Sequence, residues 1–175
     1  MIFKNIKPHQ NRHFGCFYKA YQEAFPAHER RDISQAKALL HNPLSQILAL
    51  QHGSQHIAYA VIWKLKYGVF IEHLLVLPTY QSKGLGRKII KKIKEINHHV
   101  VLECEHQGPD WVSQARLRFY HKLGFCIISE NYQQPPYGAE KPWVNLCLLS
   151  TFSPSKTQDL VQEIYQKIYE ITPEI

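Results

Sequence analysis

The stretch Leu74-Leu75-Val76-Leu77-Pro78-Thr79-Tyr80-Gln81-Ser82-Lys83-Gly84-Leu85-Gly86-Arg87 decides how this chain is read. An almost unbroken apolar run from Val69 ends at Pro78, the pattern of a buried strand. Beyond a short loop, Leu85, Ile89, Ile93 and Ile96 recur at helical spacing among lysines. The strand therefore feeds the first turn of a helix. Gly84 and Gly86 lack side chains, so backbone N–H groups there can approach a ligand closely. The first N–H groups of a helix have no intrahelical partner and carry about half a positive charge. Such a turn suits a phosphate or pyrophosphate, with Lys83 and Arg87 adding charge-assisted contacts. The loop lacks the Gly-Lys-Ser/Thr ending of a nucleoside-triphosphate loop and the third glycine of a dinucleotide fingerprint.

Working outward, the same strand–helix alternation continues. Short strands are expected near Ile2–Ile6, Gln46–Gln51, His56–Lys66, Val100–Cys104, Cys126–Tyr132 and Val144–Leu149. Helices are expected over Phe14–Phe25, up to Leu40, and over Ser113–Leu123, where Gly124 is a stop signal. Leu160, Ile164, Ile168 and Ile171 place an amphipathic helix in the tail. This order implies an α/β (mixed α+β) sheet with helices on both faces. The 175 residues match one compact unit with a core of its own.

Lys and Arg number 21 against 14 Asp and Glu, a formal net charge of +7 that favours an anionic partner. The four cysteines lie far apart, against a disulfide framework or a thiolate zinc site, and a reducing, cytoplasmic setting is expected. The 11 histidines show no ligand spacing, so no metal is expected. No apolar stretch reaches the length of a membrane span, so no membrane partner is expected. The basic helix comes with no nucleic-acid reader motif, so no nucleic acid is expected either.

The order Val76-x-Pro78-x-Tyr80-Gln81-x-x-Gly84-x-Gly86-Arg87 resembles the acetyl-CoA pyrophosphate loop of the GNAT (general N-acetyltransferase) superfamily. Downstream, Phe119-Tyr120-His121-Lys122-Leu123-Gly124-Phe125 resembles the second signature of that superfamily, and Phe25-Pro26-Ala27-His28-Glu29-Arg30-Arg31 resembles a segment of its small bacterial members. The resemblance covers residues 1–150, with 151–175 as a C-terminal amphipathic extension. It implies a central, mostly antiparallel sheet of about six to seven strands.

The resemblance also implies acetyl-CoA as cofactor. It would be held by Leu74, Leu75, Val76, Gln81, Ser82, Lys83, Gly84, Leu85, Gly86 and Arg87. Ser113, where many members carry Asn, would lie near the pantetheine arm. The implied activity is transfer of an acetyl group to a primary amine of a small molecule. Acetylation of a protein Lys or N-terminus, and a non-catalytic acyl-CoA-binding module, are the alternatives.

An amine with a pKa near 10 costs roughly 4 kcal/mol to deprotonate at pH 7, so a base is needed. Backbone N–H groups near Leu75 and Val76 are the implied oxyanion donors, and Tyr120 is the matching acid for the leaving thiolate. Strand alternation puts Glu72 on one face with Leu74 and Val76, and His73 on the other. Glu72 is the first base candidate. Glu103 and Glu105, followed by His106, come second. The acceptor groove is implied between Phe25–Asp32 and Gln133–Trp143, with Phe25, Glu29, Arg30, Tyr137 and Trp143 as substrate contacts. The tail helix either covers the chain's own core or meets a second copy as a homodimer.

Overall fold

Strands β1 (Ile2–Asn5), β2 (Ser45–His52), β3 (Gln55–Lys64), β4 (Val69–Val76), β5 (Val100–Cys104), β6 (Cys126–Gln134) and β7 (Val144–Ser150) form one sheet. The order is β1-β2-β3-β4-β5-β7-β6 in this computed structural model, which describes residues 1–105 and 111–171. Every neighbouring pair is antiparallel except β4 and β5. A parallel pair needs a crossover, and helix α3 (Leu85–Ile96) supplies it.

Helices cover both faces, as the sequence implies. On one face α1 (Asn11–Ala24), α2 (Ile33–Ala38) and α5 (Thr157–Ile168) pack onto Ile47, Tyr59, Trp63, Phe70 and Leu148. On the other, α3 and α4 (Trp111–His121) cover Ile62, Ile71, Leu102 and Leu149. The helices form because their apolar residues recur every three to four positions: Phe14, Phe17, Tyr18 and Tyr21 in α1, and Leu85, Ile89 and Ile93 in α3, are buried. Helix α1 begins at Asn11, ahead of the expected Phe14, because its first turn is polar and leaves no apolar signal. Asp32 starts α2 with a capping box shared with Gln35. In the tail, Leu160, Ile164, Ile168 and Tyr169 are buried in the same cluster as Tyr132 and Leu148. The segment after residue 150 is thus a layer of the common core.

The alternation expected along β4 does not hold. Val61 of β3 pairs with His73, and Ile62 pairs with Ile71, so Glu72 is a surplus residue, a β-bulge. One extra residue reverses which side chains face which way from there on. Phe70 and Leu75 join the α1 side, whereas Ile71, Leu74 and Val76 join the α3 side. Glu72 and His73 therefore both reach the α1 side, where they meet Trp63 and Tyr21. Glu72 shares no face with Leu74 and Val76, and His73 is not opposite to it.

The bulge also sits where the sheet opens. Pairing between β4 and β5 ends at Ile71 with Leu102, although both strands continue. Past that point they diverge.

Candidate active site

The divergence leaves a cavity of about 790 Å3. Phe25 and Glu29 wall it on one side, Leu74 to Leu77 and Gly86 along β4 and α3, and Phe119, Tyr120 and Arg116 on α4. Glu72, His73, Glu103 and Glu105 also border it. Pockets of this size commonly take small molecules.

The glycine turn lies at one end. The Gln81 side chain donates to Val76 O at 3.1 Å and folds the loop onto the end of β4. Gly84 precedes α3 at φ +72, a left-handed conformation that a β-carbon disfavours. Among the described residues, no acceptor meets the N–H groups from Ser82 to Arg87. The first used is that of Lys88, to Gly84 O at 3.2 Å. A β-carbon on Gly84 would meet nothing within 4 Å, so the space before these amides is open. At Gly86 it would come 3.4 Å from Phe119 Cζ, so glycine there permits the close approach of α3 and α4. Lys83 donates to Thr79 O at 2.9 Å and lies over the Tyr80 ring, folded back on its own loop. Arg87 is exposed and Ser113 is buried on α4.

A glutamate at Gly84 would set a carboxylate against these amides as well as strain the turn. Gly84→Glu is expected to weaken coenzyme A binding by roughly 100-fold or more, and Gly84→Ala by less, since alanine adds strain to the turn but no charge. Isothermal titration of both variants checks this, and equal affinities would move the anion site elsewhere.

Tyr120 lines the cavity from α4 while its ring packs edge-on to Phe125. Its hydroxyl meets no hydrogen-bond partner among the described residues. Burial, with Cys104 adding to it, raises its pKa, so it stays protonated. Cys104 is pushed up to about 12, chiefly by burial, which leaves it a neutral thiol.

The carboxylates differ sharply. The Glu72 side chain is 0% exposed. Arg31 Nε donates to its Oε1 at 2.8 Å, Tyr137 Oη to the same oxygen at 2.8 Å, and Trp63 Nε1 to Oε2 at 2.7 Å. Burial pushes the Glu72 carboxyl up, but Arg31, His73 and these donors outweigh it and hold it below the usual range. A caged anion of this kind is poorly suited to accept a proton. Arg31 also donates to Ile168 O at 2.7 Å and stacks on the Tyr137 ring, which ties the bulge to α5.

Glu103, at the end of β5, remains partly exposed toward the cavity. Tyr132 and Tyr169 donate to it, the latter at 2.9 Å from Oε2. Among the described residues no cation offsets its burial, and its pKa is pushed up to about 8. Glu105 is paired with Arg116. His106 lies outside the described residues. His73 is buried and its pKa is lowered by burial, so it is neutral. Its Nε2 lies 3.1 Å from Glu29 O.

Of the expected acceptor contacts, Phe25 and Glu29 line the cavity, and Arg30 Nε donates to Phe25 O at 3.1 Å behind them. Tyr137 and Trp143 do not line it. Tyr137 is drawn inward by Glu72 and Arg31, and Trp143 rests half-exposed on Tyr165 at 5.9 Å. The sequence reading missed Arg31 as the Glu72 partner, Trp63 and Tyr169. The only signal was a single buried-type acid within an apolar strand, which needs a cation.

Residues 43–127 match the family model for the acetyltransferase (GNAT) domain. That segment, close to half of the chain, carries the likeness to the GNAT family. It is 31% identical over 110 residues to the Bacillus subtilis protein named "Putative acetyltransferase YjbC", covering 62% of this chain and 56% of that one. It is 29% identical over 85 residues to the L-methionine sulfoximine/L-methionine sulfone acetyltransferase of Salmonella typhimurium, covering 45% and 46%. The chain thus spans about half the length of the curated relatives it matches. A solved GNAT-family structure from Bacteroides thetaiotaomicron superposes with a TM-score of 0.90 at 18% identity, over 98% of this chain and 100% of that one. That likeness of fold extends to the C-terminal helix. No helix among the described residues is long and apolar enough to cross a membrane.

Proposed function

We propose that this protein transfers the acetyl group of acetyl-CoA to a primary amine of a small molecule. The observation that carries the reading is the opening of β4 from β5 beside the amides of the Gly84 turn, which, like the Tyr120 hydroxyl in the gap, meet no partner among the described residues. The residues fit a coenzyme A carrier: open amides and Gly84 for its diphosphate, Gly86 for close approach, and the free edge of β4 near Leu75 and Val76 for its arm. Bound there, it supplies an acetyl group activated as a thioester.

The chain's own groups handle the protons. As the nitrogen–carbon bond forms, the nitrogen sheds a proton to the Glu103 carboxylate. As the carbon–sulfur bond breaks, the sulfur takes a proton from Tyr120 Oη, so the two transfers balance. Glu72 stays a fixed anion that anchors the bulge. Phe25 and Glu29 face the acceptor, and Glu29 suits a cationic group. The name of the Salmonella relative, whose acceptors are small amino-acid analogues, favours a small amine, and so does the size of the cavity.

Incubation of an amine panel with acetyl-CoA, read by mass spectrometry, tests the reading. Acetylation of a small amine is expected, and a panel without product overturns it. Because Glu103 must lose its proton to act, kcat/KM is expected to climb as the pH rises through about 8. Glu103→Gln should lower it by roughly 100-fold or more and flatten that climb.

A further inference from the structure

We propose that the segment after residue 150 completes the active site, with Tyr169 as a positioning residue that holds Glu103. The proposal rests on the acetyl-transfer reading only for the role of Glu103.

Tyr169 follows directly on α5 and is buried. Its hydroxyl lies 3.0 Å and 2.9 Å from the two Glu103 oxygens. It also accepts from Gln134 Nε2 at 3.0 Å. With one oxygen accepting and its hydrogen donated, Tyr169 is fixed in orientation. Arg31 anchors the end of α5 beside it through Ile168 O at 2.7 Å, where a cation is favourable at a helix C-terminus. The tail is thereby fastened at the residue before the one that touches Glu103.

Around Glu103 stand Tyr132 from β6, Tyr165 and Tyr169 from the tail, Glu72 from β4 and Tyr137 behind it. Arg31, the cation of this group, is committed to Glu72. Among the described residues the ionised Glu103 is therefore held by hydroxyl donors. A donor to the charged form favours that form, so removing Tyr169 Oη raises the pH at which Glu103 ionises.

The test is a carboxyl titration of the full chain with 13C-labelled glutamate, alongside kcat/KM against pH. Wild type is expected to show a carboxyl titrating near pH 8 that is missing in Glu103→Gln. Tyr169→Phe should move it up by about one pH unit, lowering kcat/KM at pH 7 roughly tenfold with recovery at high pH. A chain ending at Ile168 removes the same hydroxyl and should shift it likewise. Tyr165→Phe takes a hydroxyl from the same helix that bonds Gln133 O, not Glu103, and should leave the titration in place. An unmoved titration in both Tyr169 variants, or a loss of activity equal at every pH, overturns the proposal. If the carboxyl shifts as expected while no amine is acetylated, the acetyl-transfer reading fails and the positioning role stands.

Discussion

Tyr120→Phe is expected to lower kcat by roughly 100-fold or more while coenzyme A affinity changes by less than about threefold. The two readouts separate because the hydroxyl has no partner among the described residues, and the ring, which packs against Phe125, is kept by Phe. The variant loses a proton donor and nothing that holds the fold. Its pKa, raised by burial, keeps the donor loaded at neutral pH, so its proton is in place as charge builds on the departing sulfur. Single-turnover kinetics with saturating acetyl-CoA measures the step directly. An unchanged kcat removes Tyr120 from the chemistry.

Arg31→Leu is expected to cost about 3–5 kcal/mol of stability, because it leaves the Glu72 carboxylate buried without its cation. At roughly 2–4 °C per kcal/mol for a chain of this size, the melting temperature should fall by about 10 °C. Adding Glu72→Gln removes the stranded charge, with its amide oxygen accepting from Trp63 and its amide N–H donating to the Tyr137 hydroxyl, so the double variant should recover most of the loss. Thermal and urea melts of the four species give the coupling, and additive losses would deny that the pair acts together. The pH dependence has a definite sign. Glu72 is held below its unfolded value, so the contribution of the pair is present above that value and is lost as the pH falls through the folded one.

The glycine turn and the helices were legible because they rest on local rules. A strand ending at Pro78, a helix starting past Gly84 and an apolar stripe through Ile89 and Ile93 each write themselves into adjacent residues. The seven strands followed from the same alternation. The facing of Glu72 was not legible, since a period of two cannot reveal where one residue is surplus, and an all-apolar strand hides the slip. The misreading of Tyr137 followed from that one. A loop tyrosine looks like a wall until the carboxylate that draws it inward is known. The pairing of Arg31 with Glu72 was not legible either, because the two lie 41 residues apart. Tyr169 sits past the end of an amphipathic helix whose stripe speaks only for packing, and its hydroxyl bond to Glu103 spans 66 residues.

The mouth of this protein is a matter of backbone arithmetic. It begins beside a residue of one strand that its neighbour does not match, where the pairing with the next strand ends. Rim residues such as Phe25 and Glu29 are therefore free to drift toward other guests while the gap persists.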